Sequence, residues 1–235
     1  MYNNKAINHK KFFKKINFEK LKKEIFLHEK KLNNNKLFFE GGAALNFIGE
    51  EYKELNKILR QLYESKKIFS HFKSEYIING CSAISNKENY KRSSVWHRDV
   101  RYLNEKGRAE MILCIIPVTP CNKDNGSTLF KLKNKKIIQK ELFPGDILIA
   151  DARLLHRGGD NKKNKNRIII TIALTPPHIK PIMDYSEIYN KFKKKEKYLA
   201  QLLGYKSRTP KTLKEFFQST KNRFFQKDQL KTSMK

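Results

Sequence analysis

The residues best placed to do chemistry begin with His97 and Asp99, in Trp96-His97-Arg98-Asp99. On an extended strand, side chains two apart share a face, so one imidazole and one carboxylate can aim at a common point. His156 ends the apolar stretch that follows Gly145-Asp146-Ile147-Leu148-Ile149-Ala150-Asp151, just before Gly158-Gly159. Eleven residues later Arg167 opens the run Ile168-Ile169-Ile170-Thr171-Ile172-Ala173-Leu174. Each has a plainer reading alone. His-x-Asp arises by chance in a chain with six His, a lone His is more often a core or capping group, and a strand-edge Arg usually faces water. As a set they do more. Two imidazoles and a carboxylate leave three open positions on octahedral Fe(II), enough for a chelating keto acid and dioxygen. Zinc more often takes a closed tetrahedral site, or three ligands plus one water. Arg167 then offers a planar fork for the far carboxylate of 2-oxoglutarate.

Short strands must carry these groups. Residues 76–84, 93–102, 109–118, 127–132, 136–139, 146–150, 154–156 and 167–175 read as strands. Pro117, Pro120, Lys123-Asp124-Asn125-Gly126, Pro144-Gly145, Gly158-Gly159-Asp160-Asn161 and Pro176-Pro177 separate them. Closely spaced strands with Gly/Pro turns predict a sandwich or barrel. The lack of alternation with long helices argues against a doubly wound parallel sheet. Residues 1–35 read as helical, with Phe12, Phe13, Ile16, Phe18, Leu21, Ile25 and Phe26 on an apolar face. Residues 50–66 read as an amphipathic helix and residues 41–49 as a turn region. Beyond Asp184, two basic helices are expected over 185–203 and 213–225. The expected division is a domain over 1–183 and a basic helical appendage over 184–235.

The segment from about residue 76 to 175 resembles the phytanoyl-CoA dioxygenase family of Fe(II)/2-oxoglutarate-dependent oxygenases. The matching pieces are Trp96-His97-Arg98-Asp99, Asp124-Asn125-Gly126, the stretch from Gly145 to Asp151 leading to His156-Arg157-Gly158-Gly159, and Arg167 at the family's spacing. The resemblance implies a mainly β fold with flanking helices (α+β), a double-stranded β-helix or cupin-like jelly roll. It implies His97, Asp99 and His156 as iron ligands and Arg167 as the 2-oxoglutarate anchor. The activity implied is hydroxylation of a small molecule, with release of succinate and carbon dioxide. A carboxylate at Asp99 favours hydroxylation or desaturation over halogenation. Two departures stand out. Asn125-Gly126-Ser127-Thr128 runs almost directly into residues 136–139, so the family's insertion over the mouth is trimmed. Gly158 stands where some members place a Ser that helps hold 2-oxoglutarate. Thr128 is a candidate replacement for that contact, and Asn86 is another. On strand parity Arg101 could face the pocket and contact substrate, and Trp96 could line it. Arg98 and Arg153 are expected to point outward.

Composition bounds the remaining classes. The chain has 235 residues, 39% hydrophobic, enough for one core, and a formal net charge of +28. Of its 51 basic residues only 10 are Arg, a Lys bias that a nucleotide composition can produce without selection on the surface. No apolar run approaches the roughly 20 residues needed to span a bilayer, and the N-terminus lacks the apolar core of a secretory signal. Three cysteines without paired spacing fit a reducing compartment, and a cytoplasmic location is expected. The charge keeps a nucleic-acid partner open, although no DNA- or RNA-binding motif is found. Cations near the proposed mouth would suit an anionic or carrier-linked substrate, and the general Lys excess explains them as well. Three competing readings are a cupin-type metal protein that does not use 2-oxoglutarate, a basic nucleic-acid-binding protein without catalysis, and a pseudoenzyme that keeps the fold.

Overall fold

The computed structural model describes residues 2–34, 43–86, 95–100, 109–163, 165–189, 196–207 and 212–214. Among the described residues nine strands form two antiparallel sheets. The larger contains β1 (Ala6–His9), β2 (Ala43–Leu45), β3 (Ile77–Asn86), β4 (Ile112–Pro117), β7 (Ile147–Asp151) and β9 (Arg167–Thr175), in the order β1-β7-β4-β9-β3-β2. The smaller contains β5 (Leu129–Lys131), β6 (Ile137–Gln139) and β8 (Leu155–Arg157), in the order β6-β5-β8. Strand β9 is central, paired along its length with β3 and β4.

The continuous apolar character of β4, β7 and β9 follows from cover on both faces. Ile168, Ile170, Ile172 and Leu174 of β9 belong to a core shared with the helices, together with Ile112, Cys114, Ile147 and Ile149. The alternate residues Leu113, Ile115, Leu148, Ala150 and Ile169 pack instead with Phe130, Leu142 and Leu154 in the space between the sheets. This second space is where the site is built.

Helix α1 (Phe18–Asn34) buries Leu21, Ile25 and His28, spaced four and three apart. Its start is set by Asn17, whose side-chain oxygen accepts from the Lys20 amide at 3.0 Å. Helix α2 (Lys53–Tyr63) buries Leu55, Ile58, Leu59 and Leu62. Its own preceding residue makes no side-chain cap. Glu24 of α1 supplies one, accepting from the amides of Glu54 at 2.9 Å and Leu55 at 3.2 Å. A short helix, α3 (Lys66–Phe72), follows, capped by Ser65.

The expected helix over 1–35 is corrected at its start. Residues 6–9 form edge strand β1, in register with Ile147–Ala150 of β7. Polar anchors hold it there: Asp151 accepts from the Asn4 amide at 2.7 Å, and Asp146 accepts from the Lys11 amide at 2.9 Å. Two short helices, α4 (Tyr185–Ile188) and α5 (Lys197–Leu202), occupy the described parts of 185–203. Tyr185, Leu199 and Leu202 lie in the helix-side core, and the Tyr185 hydroxyl accepts from the Cys81 amide at 3.0 Å. Most of the helix expected over 213–225 lies outside the described residues. Among the described residues no helix is long and apolar enough to cross a membrane.

Candidate metal centre

His97 and His156 form an antiparallel bridge beside the smaller sheet. The His97 amide donates to the His156 carbonyl at 3.0 Å, and the His156 amide donates to the His97 carbonyl at 2.9 Å. A pair that exchanges both backbone bonds carries its side chains on one face. The ring centroids are 4.4 Å apart. Two residues on, the Asp99 amide donates to the Ala152 carbonyl at 3.3 Å, which returns its carboxylate to the same face. One oxygen of Asp99 lies 3.8 Å from His97 Nε2 and the other 3.6 Å from His156 Nε2. The three groups each present a ligand atom within 4.8 Å of the others.

The chemistry of these donors fits a cation. His97 Nδ1 lies 2.9 Å from the Val95 carbonyl, and His156 Nδ1 lies 3.0 Å from the Leu154 carbonyl. A carbonyl only accepts, so each Nδ1 carries a proton, which in the neutral form of an imidazole leaves the lone pair on Nε2. Burial pushes the His156 pKa below its ordinary value, although the Asp99 carboxylate pulls the other way. That burial favours the neutral, ligating form. Two lone pairs and a carboxylate then converge at separations too long for direct hydrogen bonds, the arrangement that a divalent ion between them would satisfy. In both histidines the orienting carbonyl lies two residues upstream. Neither partner is visible in the sequence, because a backbone carbonyl leaves no mark on residue type.

His156 is buried and stacks on Phe130, its cross-strand partner, with centroids 5.5 Å apart. Phe130 belongs to the inter-sheet core, so the centre opens onto that space. Arg167 is 1% exposed. It shares strand parity with Ile169, which packs in the same inter-sheet core. Burial pushes the nearby Cys121 thiol up to about 11, and the Arg167 cation pulls it back. Asn86 is the register partner of Arg167. It shares parity with Ile84, which packs on the inter-sheet core, and its amide donates to the Gly159 carbonyl at 3.4 Å. Thr128 is half-buried, two residues before the inward Phe130.

Two glycine turns meet beside Asn86. Gly126 has φ +83°, and a Cβ there would lie 2.4 Å from the Gly159 carbonyl oxygen. Backbone packs on backbone at this point, which explains why both loops are glycine-bearing.

Trp96 is not brought to the ligands. The Arg157 guanidinium lies over its ring at 5.6 Å, and Arg157 alternates with the inward His156 along β8. Arg98 and Arg153 meet away from the centre, with Arg98 Nε donating to the Arg153 carbonyl at 2.9 Å. Arg101 lies outside the described residues.

Comparison with known proteins places the fold. No family model matches the chain, and no curated protein matches it in sequence. Solved structures do match. The chain shares its fold with several of them, two of which are described as non-heme enzymes. AviO1 from Streptomyces viridochromogenes Tue57 aligns over 75% of this chain and 91% of its own, with TM-score 0.59 and 13% identity. The non-heme alpha-ketoglutarate-dependent epimerase SnoN from nogalamycin biosynthesis aligns over 73% and 78%, with TM-score 0.52 and 10% identity. The non-heme monooxygenase ThoJ aligns over 72% and 74%, with TM-score 0.51 and 11% identity.

Proposed function

We propose that the protein is an Fe(II)- and 2-oxoglutarate-dependent dioxygenase of the phytanoyl-CoA dioxygenase type, built on a double-stranded β-helix. In this reading it hydroxylates a small metabolite and releases succinate and carbon dioxide. The observation that carries the proposal is the convergence of His97 Nε2, His156 Nε2 and the Asp99 carboxylate, with both imidazoles held in the ligating tautomer. The fold shared with SnoN, itself alpha-ketoglutarate-dependent by its description, supports it.

His97, Asp99 and His156 would hold the iron, and Arg167 would fix the far carboxylate of 2-oxoglutarate. Bound iron with its keto acid supplies the oxidising power for attack on an unactivated C–H bond. The chain's own share is placement. The Val95 and Leu154 carbonyls orient the two imidazoles, and Phe130 backs His156. The inter-sheet core, with Leu113, Ile115 and Leu148, keeps bulk water from the far side of the centre. Thr128 and Asn86 remain proposed second contacts to the co-substrate. Asn86 also fastens the Gly159 loop.

The proposal is tested by succinate release from 2-oxoglutarate, with Fe(II) and dioxygen, across a panel of small metabolites led by anionic ones. Turnover stimulated by one panel member, and abolished in His97→Ala, is the expected result. Metal-dependent turnover of a substrate without succinate would favour a cupin-type metal protein that does not use 2-oxoglutarate.

A further inference from the structure

Away from the metal centre, on the outer side of the smaller sheet, lies a groove of about 510 Å³. Arg98, Arg153, Lys131, Lys133 and Lys135 line it, and among the described residues no Asp or Glu does. Leu155 lines it from the outer face of β8, and Leu132 and Leu154, which also pack on the inter-sheet core, complete its aliphatic lining. Strand parity accounts for the separation. Leu155 and Lys131 are register partners that alternate with His156 and Phe130, so they face the opposite side of the sheet from the metal ligands.

Three observations distinguish this groove from the general Lys excess. The first is composition: Lys outnumbers Arg 41 to 10 in the chain, yet two Arg meet here. The second is order. Arg153 is forked on buried Asp151 through Nε at 3.0 Å and Nη2 at 2.8 Å, and Arg98 is fastened to the Arg153 carbonyl. The third is contrast. A larger groove of about 860 Å³ between α2 and α5 also has many cations, but Glu50 and Glu196 line it. There Arg60 is paired with Glu196, and Lys57 with Glu54. In the groove beside the smaller sheet Arg153 is likewise paired, with Asp151, but among the described residues no ion pair joins Lys131, Lys133 or Lys135 to a carboxylate.

We propose that this groove is a second binding site, for a small, multiply charged phosphate-bearing ligand with an aliphatic part. Fixed guanidinium groups suit phosphate oxygens, and the ring of one-sign charge raises local anion concentration. The aliphatic lining suits an alkyl portion. Among the described residues no aromatic ring lines the groove, so they offer no stacking platform of the kind that single-stranded nucleic acid uses.

The test uses inorganic tripolyphosphate as the probe, titrated into the full chain at fixed physiological ionic strength. One variant carries Lys131→Gln, Lys133→Gln and Lys135→Asn. A control carries Lys20→Gln, Lys23→Gln and Lys30→Gln on the exposed side of α1, removing the same charge. Saturable binding is expected, weakened about 10-fold or more in the groove variant and less than about 2-fold in the control. Should the triple variant fold poorly by circular dichroism, Lys133→Gln alone is expected to weaken binding measurably. Equal losses in both triple variants would overturn the proposal, since diffuse net charge would then suffice. So would the absence of saturable binding, or binding of an oligonucleotide under conditions where tripolyphosphate does not bind.

Discussion

At the residue scale, the account divides the site into a metal half and an anchor half with separable readouts. Arg167 is buried at the start of β9, close to Cys121, and burial strengthens any charge-assisted hydrogen bond it makes to a carboxylate. Arg167→Gln is expected to raise the apparent 2-oxoglutarate KM by about 10- to 100-fold, the worth of a hydrogen bond to a charged group. Fe(II) binding, followed by metal titration, should change little. Loss of metal binding in that variant would contradict the division. The convergence of His97, Asp99 and His156 was readable in the sequence, because strand parity and spacing are visible in residue order, while the role of Arg167 is a proposal carried by its spacing from His156. The carbonyls of Val95 and Leu154 were not readable. Nor was the outward packing of Trp96 on Arg157.

At the element scale, the helical layer depends on a cap that crosses between helices. Glu24 of α1 satisfies two amides at the start of α2, and Glu54 of α2 accepts from the Asn17 amide at 2.9 Å. Glu24→Ala is expected to destabilise the protein by about 1–2 kcal/mol. It should appear as a lower urea midpoint with unchanged slope. A midpoint shift no larger than that of Glu19→Ala, on the exposed first turn of α1, would argue against the cap. Strands β3, β4, β7 and β9 of the larger sheet were legible because β-branched runs bounded by Pro and Gly declare themselves, whereas β2 lies in residues 41–49, which read as a turn region. Strand β1 was not legible either, since its four residues are only half-buried and its anchors, Asp146 and Asp151, lie more than a hundred positions away. The apolar spacing of the first 26 residues looks helical whether or not the first few belong to a helix.

At the scale of the whole molecule, the two sheets make a box with helices outside one face and the candidate centre at the edge of the other. The smaller sheet could be read in sequence as short strands, but not that it has an outer groove. The register that turns Lys131 and Leu155 outward is set by the pairing of β5 with β8. Protonation acts on the whole fold as well. His28 is buried on α1, near the Tyr52 hydroxyl at 3.0 Å and the Leu45 carbonyl at 2.7 Å, and burial lowers its pKa below the usual 6.5. Burial, with help from Lys67, lowers that of His9 too. The unfolded chain therefore binds protons first as pH falls below about 6.5, and linkage then favours unfolding. The stabilisation is complete above that pH and is lost as pH falls toward the folded values. The urea midpoint should drop between pH 7.5 and pH 5, by less in His28→Gln than in the parent. Equal drops would remove His28 from the account.

The central proposal is that His97, Asp99 and His156 would hold an iron ion, which 2-oxoglutarate would chelate. Its most direct test is anaerobic addition of Fe(II) and 2-oxoglutarate, watched for the weak visible charge-transfer band of the chelate. The account predicts that the band forms in the parent, disappears in His156→Ala and needs more 2-oxoglutarate to saturate in Arg167→Gln. A band that never forms in the parent, or that survives in His156→Ala, would contradict it.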